Sequence, residues 1–429
     1  MSTSLLNVLI ALNKEIADDW AGTTTSSGST TKTTVVDTAL MAKANDWITD
    51  DCFDFITSAG STQYEERKIS SLDNTNGTLT VLAHTATIAA SATYQVHRLF
   101  SASAKRTALI DAAKLCYPFI HKQIRDESLT IGNWLRDGDF EYNWSSTAAH
   151  TYWKVSNTAN VTIEETTTAP YFKRGATSLK LAGSAGYLYQ SNTENSGLMN
   201  LADNTVTVTA EVWGDTASDL RVAITDGAAT TYSSYHTGAS GFEKLTVTAD
   251  MATYPSAISV RVYRASSTSV AYVDDIRLYG PDRAKLYITD LGLNLDYPIE
   301  VFESSDENIN LEPWIPIRDY SIGSDGYIYL EEGTRNYRVR ITGRNYLDFL
   351  VSNVASTAWT ATIALNEPQI RVLVAQAICY LYEQMALPNF TSGDRQAYAQ
   401  ALTYWQGKLA ERQSRFGMKL PPIKTRWGI

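Results

Sequence analysis

Between residues 4 and 20, Leu5, Leu9, Leu12, Ile16 and Trp20 recur at steps of three and four. That spacing predicts an amphipathic helix whose apolar stripe needs a partner. The Thr/Ser/Gly-rich stretch GTTTSSGSTTKTTVVD follows, and then four short runs, CFDFITSAG, EERKISSLD, GTLTVLA and ATYQVHRLF, separated by Gly, Asn and Asp turn signals. Residues 21–101 are therefore expected to form a small antiparallel β-barrel. Ser103 reads as the cap of a second helix over residues 102–131, with Leu109, Ala112, Ala113, Cys116, Phe119, Ile120 and Ile124 on one face. Pro118 is expected to kink or break it near Tyr117, because proline removes a backbone hydrogen bond and clashes with the preceding turn.

From residue 132 the period changes to two. NVTIEE, TSLKLA, GYLYQ, TVTVTAEVW, DLRVAIT, FEKLTVT, AISVRVYR and SVAYVDDIRLY succeed one another between turns, which predicts a β-sandwich over residues 132–281. LYITD, PIEVFE, GYIYLEE and YRVRITG predict a second small β domain over 282–345. Helical spacing then returns for residues 346–417. Asn366, Pro368 and Gln369 make a start signal, Ile370, Leu373, Val374, Ala377, Ile378, Leu381, Tyr382 and Met385 form the stripe, and Pro388 ends it. Thr391 or Ser392 caps a last helix carrying Tyr398, Ala401, Trp405, Leu409 and Phe416, and residues 418–429, MKLPPIKTRWGI, are too proline-rich to stay helical. The fold class is thus α+β and multidomain. Four helical segments, each too amphipathic to stand alone, imply one discontinuous helical core with antiparallel β domains inserted into its loops: the small barrel, the sandwich and the second small β domain.

Composition narrows the function classes. With 44% hydrophobic, 19% charged and 11% aromatic residues in 429, the chain is neither disordered nor collagen-like. It lacks any apolar run of the length that spans a bilayer, so no membrane insertion is expected. The N-terminal stretch has no basic region or small-residue cleavage site, so synthesis in the cytoplasm is the default. Cys52, Cys116 and Cys379 are odd in number and far apart, which supports neither a disulfide framework nor a zinc cluster. The net charge of −10 argues against a nucleic-acid coat. It is uneven, however: Lys408, Arg412, Arg415, Lys419, Lys424 and Arg426 stand against Glu411 alone, so residues 408–429 carry +5 and the rest −15. The terminus reads as a docking element.

The sequence contains no nucleophile elbow, Walker loop, dinucleotide fingerprint, HExxH or CxxC pair, and His84, His97, His121, His150 and His236 are scattered singly. Asp137, Asp139, Glu141, Asp274 and Asp275 supply enough carboxylates for glycoside hydrolysis. Their places at strand starts and ends favour a structural role, so no enzyme is expected.

NWLRDGDFEYNW, YWKVS and the closing AYVDDIRLYG resemble the jelly-roll carbohydrate-binding modules that open with a GDFE-type strand and close with a DD-type strand, over most of residues 132–280. That resemblance implies a candidate structural calcium at Glu141 and Asp275. It also implies a glycan platform among Tyr152, Trp153, Trp213, Tyr232 and Tyr235, although the strand patterns of Trp153 and Trp213 suit core packing better. The rest of the chain is similar to the head-to-tail adaptor (connector) proteins of tailed bacteriophages. The similarity rests on VVDTALMAKANDWITDDCFDFITSAG with EERKISSLDNTNGTLTV and ATYQVHRLF, on EPWIPIRDYSIGSDGYIYLEE with YRVRITG, and on RVLVAQAICYLYEQMA with ERQSRFGMKLPPIKTRWGI.

The adaptor resemblance implies a ring of copies, twelve-fold in that family, in the virion neck below the portal protein and above the tail or next neck protein, with viral DNA passing through it. The C-terminal tail would dock on the portal through Lys419, Leu420, Pro421, Pro422, Ile423, Lys424, Arg426 and Trp427, as an added strand or with Trp427 as an anchor. An acidic lumen would let DNA slide. In a second reading the sandwich is displayed outward as a decoration that binds host surface glycan.

Overall fold

The computed structural model describes residues 2–49, 52–142, 144–158, 160–265, 270–282, 284–295, 298–304, 314–330, 337–386 and 395–418. The chain divides into two compact units, Met1–Lys122 with Tyr346–Ile429, and Gln123–Asn345. The first is built from both ends of the sequence.

In that unit the N-terminal stripe folds as helix α1 (Leu5–Ile16), and Ser4 Oγ accepts the Asn7 amide at 3.2 Å to cap it. The helix stops at Ala17 in the left-handed region, φ 52°, so Trp20 lies not on the helix but in strand β1 (Asp19–Thr23). β2 (Thr34–Val36), β3 (Phe53–Ile56), β4 (Glu66–Asp73), β5 (Thr78–Val81) and β6 (Thr93–His97) complete a sheet of order β1-β6-β3-β4-β5-β2. An antiparallel bridge between Ser26 and Val36, with the Thr25 amide on the Val36 carbonyl at 2.9 Å, joins its two edges. The sheet thereby closes around Val35, Leu40, Ile56, Ile69, Leu79, Tyr94 and Val96.

Helix α2 (Ala102–Leu115) is capped by Ser101 rather than Ser103: Ser101 Oγ accepts the Ala104 amide at 3.1 Å. The helix expected over 102–131 ends at Leu115, three residues before Pro118, and residues Lys122–Thr130 form a strand, β7. Helix α3 (Ile370–Ala386) begins just after Pro368, and α4 (Arg395–Phe416) follows. Val8, Leu9 and Leu12 of α1, Ala108, Leu109 and Ala112 of α2, Leu373, Ala377 and Ile378 of α3 and Trp405 of α4 share one buried cluster. Each stripe thus finds its cover in the others. The expected cap at Thr391 or Ser392 and residues 419–429 lie outside the described residues.

The barrel carries a pH-sensitive element. The buried imidazole of His84 is bonded on both sides, Nε2 to Asp54 Oδ2 and Nδ1 to Glu65 Oε2, each at 2.9 Å, with Arg67 also 3.3 Å from Glu65. Burial would lower the His84 pKa, but the hydrogen bonds and charges of Asp54 and Glu65 outweigh it and raise the pKa above its ordinary value. A histidine raised on folding contributes stability that is complete below its unfolded pKa of about 6.5 and is lost as pH climbs through the folded value. Urea unfolding followed upward from pH 6 is expected to show falling stability, and His84→Gln is expected to flatten that slope.

In the second unit, β8 (Val161–Thr166), β9 (Ser178–Gly183), β10 (Gly186–Ser191), β11 (Thr205–Gly214), β12 (Leu220–Thr225), β13 (Thr230–Tyr232), β14 (Phe242–Asp250), β15 (Ser259–Arg264) and β16 (Ala271–Tyr279) form two antiparallel sheets. One has the order β8-β9-β16-β11-β14, and the other runs from an edge piece, Lys154–Val155, through β10, β15, β12 and β13. From β9 to β12, and again from β13 to β16, successive strands alternate between the sheets, the connection of a jelly roll. Alternate residues such as Leu188, Val222, Val262, Val208 and Val273 fill the space between them.

β7 pairs in a further sheet of order β19-β18-β22-β7, with β18 (Glu300–Ser304), β19 (Trp314–Ile317) and β22 (Arg338–Asn345). β17 (Lys285–Tyr287), β20 (Tyr320–Ile322) and β21 (Tyr327–Leu330) form a three-stranded one. Leu129 of β7 and Ile131 just after it enter the same cluster as Leu286, Val301, Ile328, Val339 and Ile341. The small β domain therefore recruits a strand that the sequence places ahead of the sandwich. Among the described residues no helix is long and apolar enough to cross a membrane.

Candidate functional site

The opening RDGDFE turn of the sandwich is a structural knot. Gly138 is needed because a Cβ there would lie 2.0 Å from the Ile276 carbonyl oxygen, whose own amide donates to the Gly138 carbonyl at 2.7 Å. Asp137 and Phe140 adopt φ of 48° and 58°, reversing the chain on either side. Phe140 goes into the core against Trp153, at 5.5 Å between ring centroids. Asp137 is fully buried between His150 Nε2 (2.9 Å) and Arg338 Nη2 (2.8 Å), and the same guanidinium nitrogen also donates to Asp139.

The expected calcium ligands have other engagements. Glu141 Oε1 accepts the amides of Ala176 (2.6 Å) and Thr177 (2.7 Å), while Asp275 pairs with Arg277 Nε at 2.7 Å. Asp274, driven by burial to a pKa well above the ordinary carboxylate value, accepts the amides of Lys173 and Arg174. Among the described residues no group of three or more His, Cys, Asp or Glu side chains is arranged to hold a metal ion. The cation that meets Asp137 and Asp139 is the guanidinium of Arg338.

The five aromatics named as a glycan platform separate into different places. Trp153 is completely buried, its Nε1 donating to the Asp137 carbonyl at 3.0 Å, and is a core residue. Tyr152 belongs to the knot, with its hydroxyl on Asp126 and the Arg136 guanidinium over its ring. Trp213 lies on β11 of the other sheet, edge-on to Tyr171 (5.0 Å) and Tyr272 (5.2 Å). Tyr232 and Tyr235 are exposed, and they lie together over one guanidinium: the Arg221 carbon is 3.8 Å from the Tyr232 ring centroid and 4.8 Å from that of Tyr235.

Strand register shows what surrounds that pair. Across β10, β15 and β12, Tyr187 stands opposite Tyr263, which stands opposite Arg221. One row over, Lys154, Tyr189, Arg261, Ala223 and Tyr232 succeed one another from edge to edge. Their neighbours Leu188, Val222 and Val262 are buried in the core, so by strand alternation both rows point outward. Ring centroids of Tyr187 and Tyr263 are 4.9 Å apart and those of Tyr263 and Tyr232 5.4 Å, and Arg261 lies 4.8 Å over Tyr187. Tyr187, Tyr189 and Tyr263 are functional candidates that sequence reasoning passed over. Their signal was the alternation YLY and RVY, in which every second residue is aromatic or arginine.

No protein-family model matches the chain, and no curated protein matches it. Solved structures similar to parts of it include TmCBM61 in complex with β-1,4-galactotriose, at 14% identity over 34% of this chain and 98% of that one, with a TM-score of 0.26. The CBM22-1 xylan-binding domain from Paenibacillus barcinonensis Xyn10C matches at 14% identity over 36% of this chain and 96% of that one, TM-score 0.27. The enzymatically active domain of bacteriophage CBA120 tailspike protein 4 matches at 12% identity over 36% of this chain and 21% of that one, TM-score 0.26. The two-sheet jelly roll of this chain rests on its own strand pairing.

Proposed function

We propose that the chain is a structural protein of a tailed-phage neck, a head-to-tail adaptor without chemistry of its own that carries a glycan-binding sandwich as an insert. The observation that supports the adaptor role is the unit assembled from both ends of the sequence, in which α1, α2, α3 and α4 share one core while residues 123–345 form a separate unit between them. A body so arranged keeps its own packing whatever is inserted, which suits a ring subunit repeated by heterologous contacts. The ring, twelve-fold by the resemblance, would lie between portal and tail with the genome passing through, and the basic terminus would seek an acidic groove on the portal.

Native mass spectrometry and negative-stain microscopy of the protein, alone and with portal, test this. A ring, or a portal-bound ring released when residues 420–429 are deleted, is the expected result. A monomer indifferent to portal would overturn it. The second reading, a glycan-binding virion decoration, is favoured by the outward rows of Tyr187, Tyr189, Tyr263 and Tyr232. Tyrosine rings offer an apolar face to the C–H side of a sugar and a hydroxyl to its edge.

A further inference from the structure

Resting on that glycan reading, we infer that the outward face of the sheet β10-β15-β12-β13 takes a saccharide chain bearing carboxylates, a polymer of uronic or sialic acids, rather than a neutral one. The argument starts from the arginines of this unit. Arg136, Arg264, Arg277 and Arg338 are buried and each has an aspartate within 4 Å: Asp126, Asp219, Asp275 and Asp137 respectively. Arg221 and Arg261 lie on the outward face instead, and neither has an acidic partner among the described residues.

Both have an Nε that is buried without a hydrogen-bond partner, and Arg261 spends one terminal nitrogen on the Tyr263 hydroxyl at 3.1 Å. What holds them is contact with aromatic rings: Arg221 against Tyr232 and Tyr235, and Arg261 against Tyr187. The terminal nitrogens not so engaged, both of Arg221 and one of Arg261, are left for a carboxylate, the group that guanidinium N–H donors pair with best. In a chain of net charge −10, these are two guanidiniums on one aromatic surface without a carboxylate partner among the described residues. Lys154, whose Nζ donates to the His150 carbonyl at 3.1 Å, stands at the edge of the second row. Glu194, the acid near Tyr189, already accepts from the Ser191 amide (3.0 Å) and hydroxyl (2.6 Å).

The first row crosses three strands and the second five, the latter roughly 19 Å at about 4.8 Å per strand. That length suits several sugar rings in line better than a single one. Each ring would lie on a tyrosine while its carboxylate meets Arg261 or Arg221.

The test uses the full chain and isothermal titration with polygalacturonate, alginate and polysialic acid, with β-1,4-galactan and xylan as neutral polymers and polyaspartate as a charge control. At least one acidic polysaccharide is expected to bind tenfold or more tighter than either neutral one, and polyaspartate is expected not to compete. Arg221→Gln and Arg261→Gln are each expected to lose tenfold or more on the acidic polymer with unchanged circular dichroism. Tyr263→Ala is expected to weaken every sugar polymer. Equal or tighter binding of a neutral polymer, competition by polyaspartate, or arginine variants that bind as wild type would overturn the acidic class and leave the glycan reading standing. No binding to any of the polysaccharides removes both.

Discussion

Arg338→Leu is expected to lower the stability of the Gln123–Asn345 unit by about 3–5 kcal/mol, the cost of leaving a buried ion without its partner. Three facts lead there. The guanidinium is 1% exposed, it donates to Asp137 at 2.8 Å and to Asp139, and it also holds the Glu127 carbonyl at 2.9 Å. Asp137 is fully buried, and burial already raises its pKa against the pull of Arg338. Without that charge the carboxyl rises further, with Asp139 pushing the same way and His150, at 2.9 Å, left as the neighbour that favours its charged form.

The sign of the pH effect follows. In the variant, Asp137 has a folded pKa raised above the unfolded value of about 3.9. The folded form then binds protons more readily than the unfolded one, so the penalty is greatest at neutral pH and shrinks as pH falls through the folded pKa. Urea unfolding of wild type and variant at pH 7 and pH 4 checks both parts. A loss below about 1 kcal/mol at pH 7 would mean that solvent reaches the cluster and that the knot is not what fixes the opening turn.

Lys105→Met is expected to cost the other unit a similar amount, about 3–5 kcal/mol. Lys105 is buried on α2, with Nζ 2.7 Å from Asn13 Oδ1, 2.7 Å from His97 Nδ1 and 2.9 Å from Asp18 Oδ2. Because the ammonium only donates, His97 must accept at Nδ1 and is therefore neutral. Burial and then the charge of Lys105 both push its pKa well down, in agreement. Asp18 meanwhile accepts the amides of Arg98 (3.2 Å) and Phe100 (2.9 Å) and also that of Leu99, fixing the turn from β6 into α2.

Methionine preserves the volume of lysine but leaves Asp18 charged and buried without a cation. Adding Asp18→Asn removes the stranded charge and keeps an oxygen for the amides, so the double variant is expected to be less destabilised than the sum of the two single ones. Thermal melting of the four proteins in the cycle measures the coupling. Simple additivity would show that Lys105 and Asp18 act independently, against the geometry.

Much of the fold is legible along the chain, and the reasons are local. Leu5, Leu9 and Leu12, and Leu373, Ala377 and Ile378, keep a helical period strong enough to survive any context, and all are buried in the structure. The alternation of TVTVTAEVW and SVRVYR marks β11 and β15 in the same way. The stretch from Ile120 to Ile131 misleads because Ile120 and Ile124 stand four apart, as on a helix, while only the sheet of β18 and β22 decides that residues 122–130 extend. Its pairing partners are about two hundred residues away, and no local pattern carries that information.

The candidate site divides along the same line. Residue type and period by themselves predict an α+β chain with a two-sheet insert, while the RDGDFE opening and the candidates Tyr232 and Tyr235 come from the resemblance to carbohydrate-binding modules. The strand pattern already favoured a core place for Trp153, but tertiary structure alone decided that Trp213, expected in the core too, stands off it on the opposite sheet, and that Tyr187, Tyr189, Tyr263, Arg221 and Arg261 meet on one surface. It also decided that Arg338, two hundred residues along the chain, supplies the cation for Asp137. The physical reason is that alternation tells a strand's two faces apart without saying which neighbour each face meets. Cross-strand register, set by the packing of the whole sandwich, turns separate tyrosines and arginines into a row.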